Sequence, residues 1–271
     1  MGAERKNMHN KKYWIWLSRI DISPEKIKQC LEKCTPEDMW NLKEKTKKFF
    51  TKEEMNKIKD INYRRNLELQ EQYLLKHKIE LITIKEYPEK LKQINNPPIC
   101  LYVLGNKQIV RQKSIAIVGS RDCSEYGKTM AQAFSYLLAK NNITVISGLA
   151  KGIDSFAHVG TLQANGRTIA VIGTGIDLVY PKENKDLMEQ IIKKGGTIIS
   201  EYPLGTKPDK QNFPRRNRII AGLADGVLVI EAREKSGALI TVDYALEQGK
   251  NIYVVPRKHY KQDIKTEAMN C

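Results

Sequence analysis

The chain has 271 residues, enough for one large or two modest domains with a buried core, and it carries 46 Lys and Arg against 31 Asp and Glu, a formal net charge of +15. That excess suits a polyanionic partner such as nucleic acid, and no apolar run approaches the ~20 residues that span a bilayer, so membrane insertion is not expected. Residues 1–12 are polar, Lys6 stands where a myristoylation site wants Ser or Thr, and five scattered cysteines (Cys30, Cys34, Cys100, Cys123 and Cys271) fit a reducing, cytoplasmic location better than a disulfide scaffold.

Residues 1–80 are rich in Lys and Glu, nearly free of Gly, and patterned for helices. Trp14, Ile15, Leu17 and Ile20 make a short apolar face. Ser23-Pro24-Glu25 reads as a helix start with Pro at the first helical position, opening a helix that carries Ile27, Cys30 and Leu31. Thr35-Pro36-Glu37 repeats that signal. Thr51 with Glu54 three residues on is a capping-box pattern for one longer helix holding Met55, Ile58, Ile61, Leu67 and Leu74. These signals together predict a small helical domain, which either packs on the next domain or binds DNA. Cys30 and Cys34 could share a helix face, but without a second Cys or His pair at ligand spacing no metal site is expected.

Tyr87 to Gly105 is a hinge-like stretch with Pro88, Pro97 and Pro98, ending in the short strand Cys100–Leu104. Beyond it, β-branched runs alternate with helical patterns: 114–118, 143–146, 168–172, 197–199, 227–230 and 251–255. Their spacing is that of successive strand–helix–strand units. Met130, Phe134, Leu137 and Leu138 recur at the helical period and are expected to form the buried face of the first of these helices. Continuous apolar strands imply a mainly parallel sheet with helices on both faces. The fold class read here is α/β, a Rossmann-like doubly wound domain over 81–256, preceded by the helical domain.

In such sheets ligands bind beyond the carboxyl ends of the strands. The loops predicted there are Gly119-Ser120-Arg121, then Ser147-Gly148-Leu149-Ala150-Lys151-Gly152-Ile153-Asp154, then Gly173-Thr174-Gly175, then Lys210 through Asn212-Phe213-Pro214-Arg215-Arg216-Asn217-Arg218, and finally Ser236-Gly237-Ala238-Leu239-Ile240-Thr241. Glycines allow close backbone approach and helix N-termini present free N–H groups to phosphate. Arg forks suit phosphate oxygens and an aromatic ring suits a base face; the alternative is a solvated basic loop. The candidate ligand residues are Gly119, Ser120, Arg121, Lys151, Lys210, Phe213, Arg215, Arg216, Asn217, Arg218, Ser236 and Gly237. Gly127-Lys128-Thr129 fails as a phosphate-binding Walker loop because Asp122 stands where its first glycine belongs, and Gly173-Thr174-Gly175 meets Leu178 where a dinucleotide fingerprint needs its third glycine. Asp154 is read as a helix cap tying down its loop, and His158 as structural. No catalytic set, cofactor or metal is expected.

Val118-Gly119-Ser120-Arg121, the Ser147–Asp154 loop, Phe213–Arg218 and Ser236–Thr241, in this order, resemble the DNA-processing protein A (Smf) family, a likeness that covers roughly residues 80 to 256. The resemblance implies a cytoplasmic bacterial protein that binds single-stranded DNA in natural transformation, protects incoming strands, helps load the RecA recombinase, forms a homodimer and is not an enzyme. It also implies that Arg121, Lys210 and Phe213 touch the strand. After Pro256 the family continues with a glycine, whereas here Arg257–Cys271 is polar and reads as an atypical, shortened tail. The rival reading is a nucleotide-binding phosphoribohydrolase of the same fold class; it wants Pro-Gly-Gly-x-Gly-Thr-x-x-Glu where this chain has Ser-Gly-Ala-Leu-Ile-Thr, and Glu231 and Glu234 precede that loop.

Overall fold

A computed structural model describes residues 2–233 and 236–256, with side chains from residue 11 onward. The tail expected to be atypical lies outside the described residues.

Helices dominate the first part: α1 (Gly2–Arg19), α2 (Pro24–Leu31), α3 (Pro36–Trp40), α4 (Glu44–Lys47), α5 (Lys52–Lys59), α6 (Ile61–Arg64) and α7 (Leu67–Lys76). Their start signals act as expected. Pro24 is in the first turn of α2, and Thr35 and Thr51 each form a reciprocal capping box, with Asp38 and Glu54 respectively. The single longer helix expected after Thr51 is three helices instead. The Asp60 carboxylate accepts from Asn62 N–H and starts α6, and Asn66 takes a left-handed conformation ahead of α7. Asp and Asn compete locally for backbone hydrogen bonds, which favours such breaks. Ile61 is consequently exposed.

The helical part is welded to the sheet. Ser18 Oγ lies 2.8 Å from the Tyr102 hydroxyl, and Trp14, Trp16, Ile27 and Met39 share one apolar core with Leu101 and Val103. The strand carrying those last residues is β2 (Cys100–Gly105), and an additional strand, β1 (Ile79–Thr83), pairs with it antiparallel.

The sheet then runs through β3 (Ser114–Val118), β4 (Thr144–Ser147), β5 (Thr168–Ile172), β6 (Thr197–Ser200), β7 (Gly226–Val229) and β8 (Asn251–Val254). Among the described residues it has eight strands in the order β1-β2-β6-β5-β4-β3-β7-β8. β2 meets β6 antiparallel, and all pairs from β6 to β8 are parallel. The connecting helices are α9 (Glu125–Lys140), α10 (Ile153–Gln163), α11 (Lys185–Lys193), α12 (Asn212–Leu223) and α13 (Gly237–Glu247), with the short α8 (Glu89–Lys92) before β2. Both sheet faces are covered: Ala116 and Val118 of β3 join the core with α12, while Ile117 between them joins a second core with Ala131 and Ala157 of α9 and α10. Strand order reverses at β3, which has β4 on one side and β7 on the other, and a crevice opens there beyond the carboxyl ends.

One expected face is corrected. The buried stripe of α9 is Gly127, Ala131, Ser135 and Ala139, while Phe134 and Leu137 are exposed and Met130 and Leu138 are half-buried. Gly160 of α10 packs onto Ser135 and Gln132, so a bulky side chain along that stripe would hold the two helices apart.

Candidate nucleic-acid interface

Four of the five glycine- and cation-bearing loops meet at one open cavity of about 630 Å³ at the carboxyl edge, while Gly173 of the remaining loop lines an adjoining recess. Gly119, Ser120, Arg121, Lys210, Phe213, Arg216, Asn217, Ser236 and Gly237 line it. Lys151 borders an adjoining recess shared with Arg121, Phe213 and Arg216. Arg215 and Arg218 line neither.

The loops are held from beneath. Asp154 Oδ2 accepts from the backbone N–H groups of Gly148 and Ala150, tying the loop after β4, while Gly152 occupies the cap position of α10 that Asp154 was expected to take. Gly152 adopts φ +76°, where L side chains are strained, and a Cβ there would strike the carbonyl oxygens of Ser120 and Arg121. Burial raises the Asp154 carboxyl above its ordinary value, opposed by the positive Arg216 and the loop N–H groups.

Arg216 forms the floor. Its Nη1 donates to the carbonyls of Gly148 (2.7 Å) and Val171, and its Nε donates to Asn217 Oδ1 at 3.1 Å. A Cβ on Gly148 would lie 2.5 Å from the guanidinium, so any larger residue would have to displace it from these acceptors. Burial pulls Arg216 down to about 10, which leaves it cationic at neutral pH. His158, fully buried on α10, sits 2.7 Å from Thr168 Oγ1, whose hydroxyl donates to the Val145 carbonyl; Nδ1–H is therefore the donor to Thr168. Burial and Arg216 push this imidazole down to about 3, so it is neutral and structural. Asn217 Nδ2 in turn donates to the Gly237 carbonyl, joining α12 to the head of α13. Arg218 points away: it pairs with Glu201 at 2.6 Å and donates from Nε to the Asn96 carbonyl.

The upper wall differs. Arg121 and Lys210 are exposed and have no carboxylate partner among the described residues. Arg121 lies over the Phe213 ring, 5.6 Å from its centroid, and Tyr180 stacks on the same ring at 5.4 Å with 28° between planes. Lys151 is paired with Glu183 at 2.5 Å, both exposed. Arg233, paired with Asp122 at 2.8 Å, also lines the cavity. Ser236 caps α13 without a side-chain bond to the helix, and its hydroxyl has no partner among the described residues. Tyr180 and Arg233 were not singled out in the sequence. Tyr180 stands in the Ile176–Pro181 loop beyond Gly173-Thr174-Gly175, an aromatic beside a glycine-bearing strand end; Arg233 had no signal separating it from other surface arginines.

Glu231, the described carboxylate ahead of the Ser236 loop, has a structural task. Glu231 accepts from Ser124 N–H and Ser124 Oγ at 3.0 and 2.8 Å, fixing the start of α9, and Glu234 lies outside the described residues. Among those residues no group of three or more His, Cys, Asp or Glu side chains could hold a metal ion, and no helix is long and apolar enough to cross a membrane.

The chain belongs to the DNA recombination-mediator protein A family, whose model matches residues 78–269. It is 48% identical to Protein Smf of Synechocystis over 190 residues, which are 69% of this chain and 46% of that protein. It is 46% identical to DNA processing protein DprA of Streptococcus pneumoniae over 171 residues, 63% of this chain and 60% of that one. The match thus spans between 46% and 60% of these curated relatives. The crystal structure of S. pneumoniae DprA is similar with a TM-score of 0.73 at 34% identity, covering 92% of this chain and 88% of the other. DNA processing protein A from Helicobacter pylori, whose unique mode of binding single-stranded DNA has been described structurally, is similar with a TM-score of 0.62 at 28% identity over 68% of this chain and 83% of its own.

Proposed function

We propose that this chain binds single-stranded DNA at the carboxyl-edge cavity, without cutting it, and serves DNA processing in natural transformation by protecting incoming strands and passing them to a RecA-type recombinase. The observation that carries the reading is the upper wall: exposed Arg121 and Lys210, without carboxylate partners among the described residues, beside the stacked rings of Phe213 and Tyr180. Cations track a phosphate backbone, and aromatic rings stack on bases that only a single strand exposes. A duplex hides those faces, so the site discriminates between the two forms. The same wall supports direct roles for Arg121, Lys210 and Phe213, with Gly119, Ser120, Ser236 and Gly237 offering backbone and hydroxyl groups. Lys151 joins them once a phosphate displaces Glu183. A cytoplasmic location and a homodimer complete the proposal, on the strength of family membership.

The test is titration of a fluorescent oligo(dT) and its duplex at several salt concentrations. Tighter binding of the single strand and a steep loss with salt are expected. Equal affinity for both forms, or a flat salt dependence, would sink the reading. Binding without hydrolysis, checked by recovering intact oligonucleotide, separates it from a hydrolase acting on nucleotides.

A further inference from the structure

Phe213 is the obvious base platform in the sequence, yet its ring is already engaged. Tyr180 stacks on it, the Arg121 guanidinium lies over it, and Gly173 abuts its edge so closely that a Cβ there would come within 2.8 Å of Phe213 Cδ1. Tyr180 is the reverse. It lines the same cavity and remains 42% exposed, and its hydroxyl makes no hydrogen bond among the described residues.

We infer that Tyr180, backed by Phe213, presents the face on which a base of the bound strand stacks; this rests on the single-stranded-DNA reading above. The loop that carries Tyr180 is fixed on both sides. Thr174 Oγ1 donates to the Leu178 carbonyl, Leu178 N–H donates to Gly175, and Asn184 N–H donates to Pro181. A ring held in this way is ordered before the ligand arrives, so little entropy is lost on stacking. Arg121 and Lys210 border the same space and can take the phosphates flanking the stacked nucleotide. Tyr180 therefore stacks on the base, and Phe213 braces its ring while lining the same cavity.

The experiment combines affinity with photochemistry. Tyr180→Leu should lower affinity for oligo(dT) on the order of tenfold, as loss of one base–aromatic stack does, with the salt dependence unchanged. Its affinity for an abasic strand of equal length should match the parent's, and Tyr180→Phe should restore oligo(dT) binding. In the unsubstituted protein, an oligo(dT) carrying 5-iodouracil at every third base should crosslink on irradiation to the peptide holding Tyr180. Parent-like binding by Tyr180→Leu, or a crosslink to Phe213 with Tyr180 unmodified, would overturn the inference while leaving single-strand binding intact. A parent protein that ignores oligo(dT) altogether would overturn the reading beneath it.

Discussion

Taking the Arg216 guanidinium out of water costs its hydration, which the fold offsets with the Gly148 and Val171 carbonyls and the Asn217 amide oxygen. Arg216→Met strips those acceptors of their donor and removes the cation that opposes the desolvation of Asp154. The expected loss is about 3–5 kcal/mol in urea unfolding. Arg215→Ala, one residue earlier and exposed, should stay within about 0.5 kcal/mol. A stable Arg216→Met protein that binds DNA poorly would show instead that the guanidinium serves the ligand directly. Arg121 and Lys210 pose the opposite case, since both are exposed and neither has a carboxylate partner among the described residues. Each alanine variant should weaken oligo(dT) binding and reduce the log–log salt slope by about one unit. Phe213→Ala should cost about 1–3 kcal/mol of binding with the slope unchanged, and anisotropy titrations at several salt concentrations read both effects.

The buried stripe of helix α9 is made of small side chains, because four-residue spacing aligns Gly127, Ala131, Ser135 and Ala139 against a neighbouring helix that approaches at Gly160. Ala131→Leu should destabilise by about 1–3 kcal/mol through overpacking, whereas Leu137→Gln on the outer side should change unfolding free energy by no more than about 0.5 kcal/mol. Equal effects would mean that the outer side is also packed in solution. On α10, His158 supplies a pH dependence. Its folded value of about 3 lies below the ordinary 6.5, so on acidification the unfolded chain takes up a proton that the folded chain refuses. Stability should therefore fall as pH drops from about 6.5 towards 3, by up to about 1.4 kcal/mol per pH unit from this residue. Denaturant melts of the parent and His158→Gln across that range isolate the contribution. Parallel pH profiles for the two proteins would show that the folded chain takes up this proton as readily as the unfolded one.

At the scale of the whole molecule, β8 closes one side of the sheet among the described residues, with Val254 67% and Tyr253 50% exposed. An apolar edge of this kind is a template for pairing with another strand. Val254→Lys should lower concentration-dependent light scattering while leaving the Tm near the parent's. A Tm fall of several degrees would show that Val254 is covered in solution. The strand at the opposite end, β1, differs in that its residues are buried or half-buried throughout.

Much of this architecture was legible in the chain, because strands buried on both faces must be apolar throughout and helix caps are local chemistry. The parallel strands emerged within a residue or two, and the Thr35 and Thr51 capping boxes formed where their spacing put them. The breaks at Asp60 and Asn66 were harder to see, since local side-chain bonds there outcompeted a continuous apolar period. The α9 stripe could not be found by apolarity at all, because close helix packing selects for small size rather than hydrophobicity. At the site, type and order of residues were enough to bring Arg121, Lys210, Phe213 and the glycine loops to one edge, since strand direction alone sends those loops to the same end. Which arginine carries structure and which faces solvent was decided only in three dimensions. Arg215, Arg216 and Arg218 are chemically identical, and successive side chains on a helix point about 100° apart. Burial beside the Gly148 carbonyl, pairing with Glu201, or exposure to water therefore depends on what the rest of the fold places around each one.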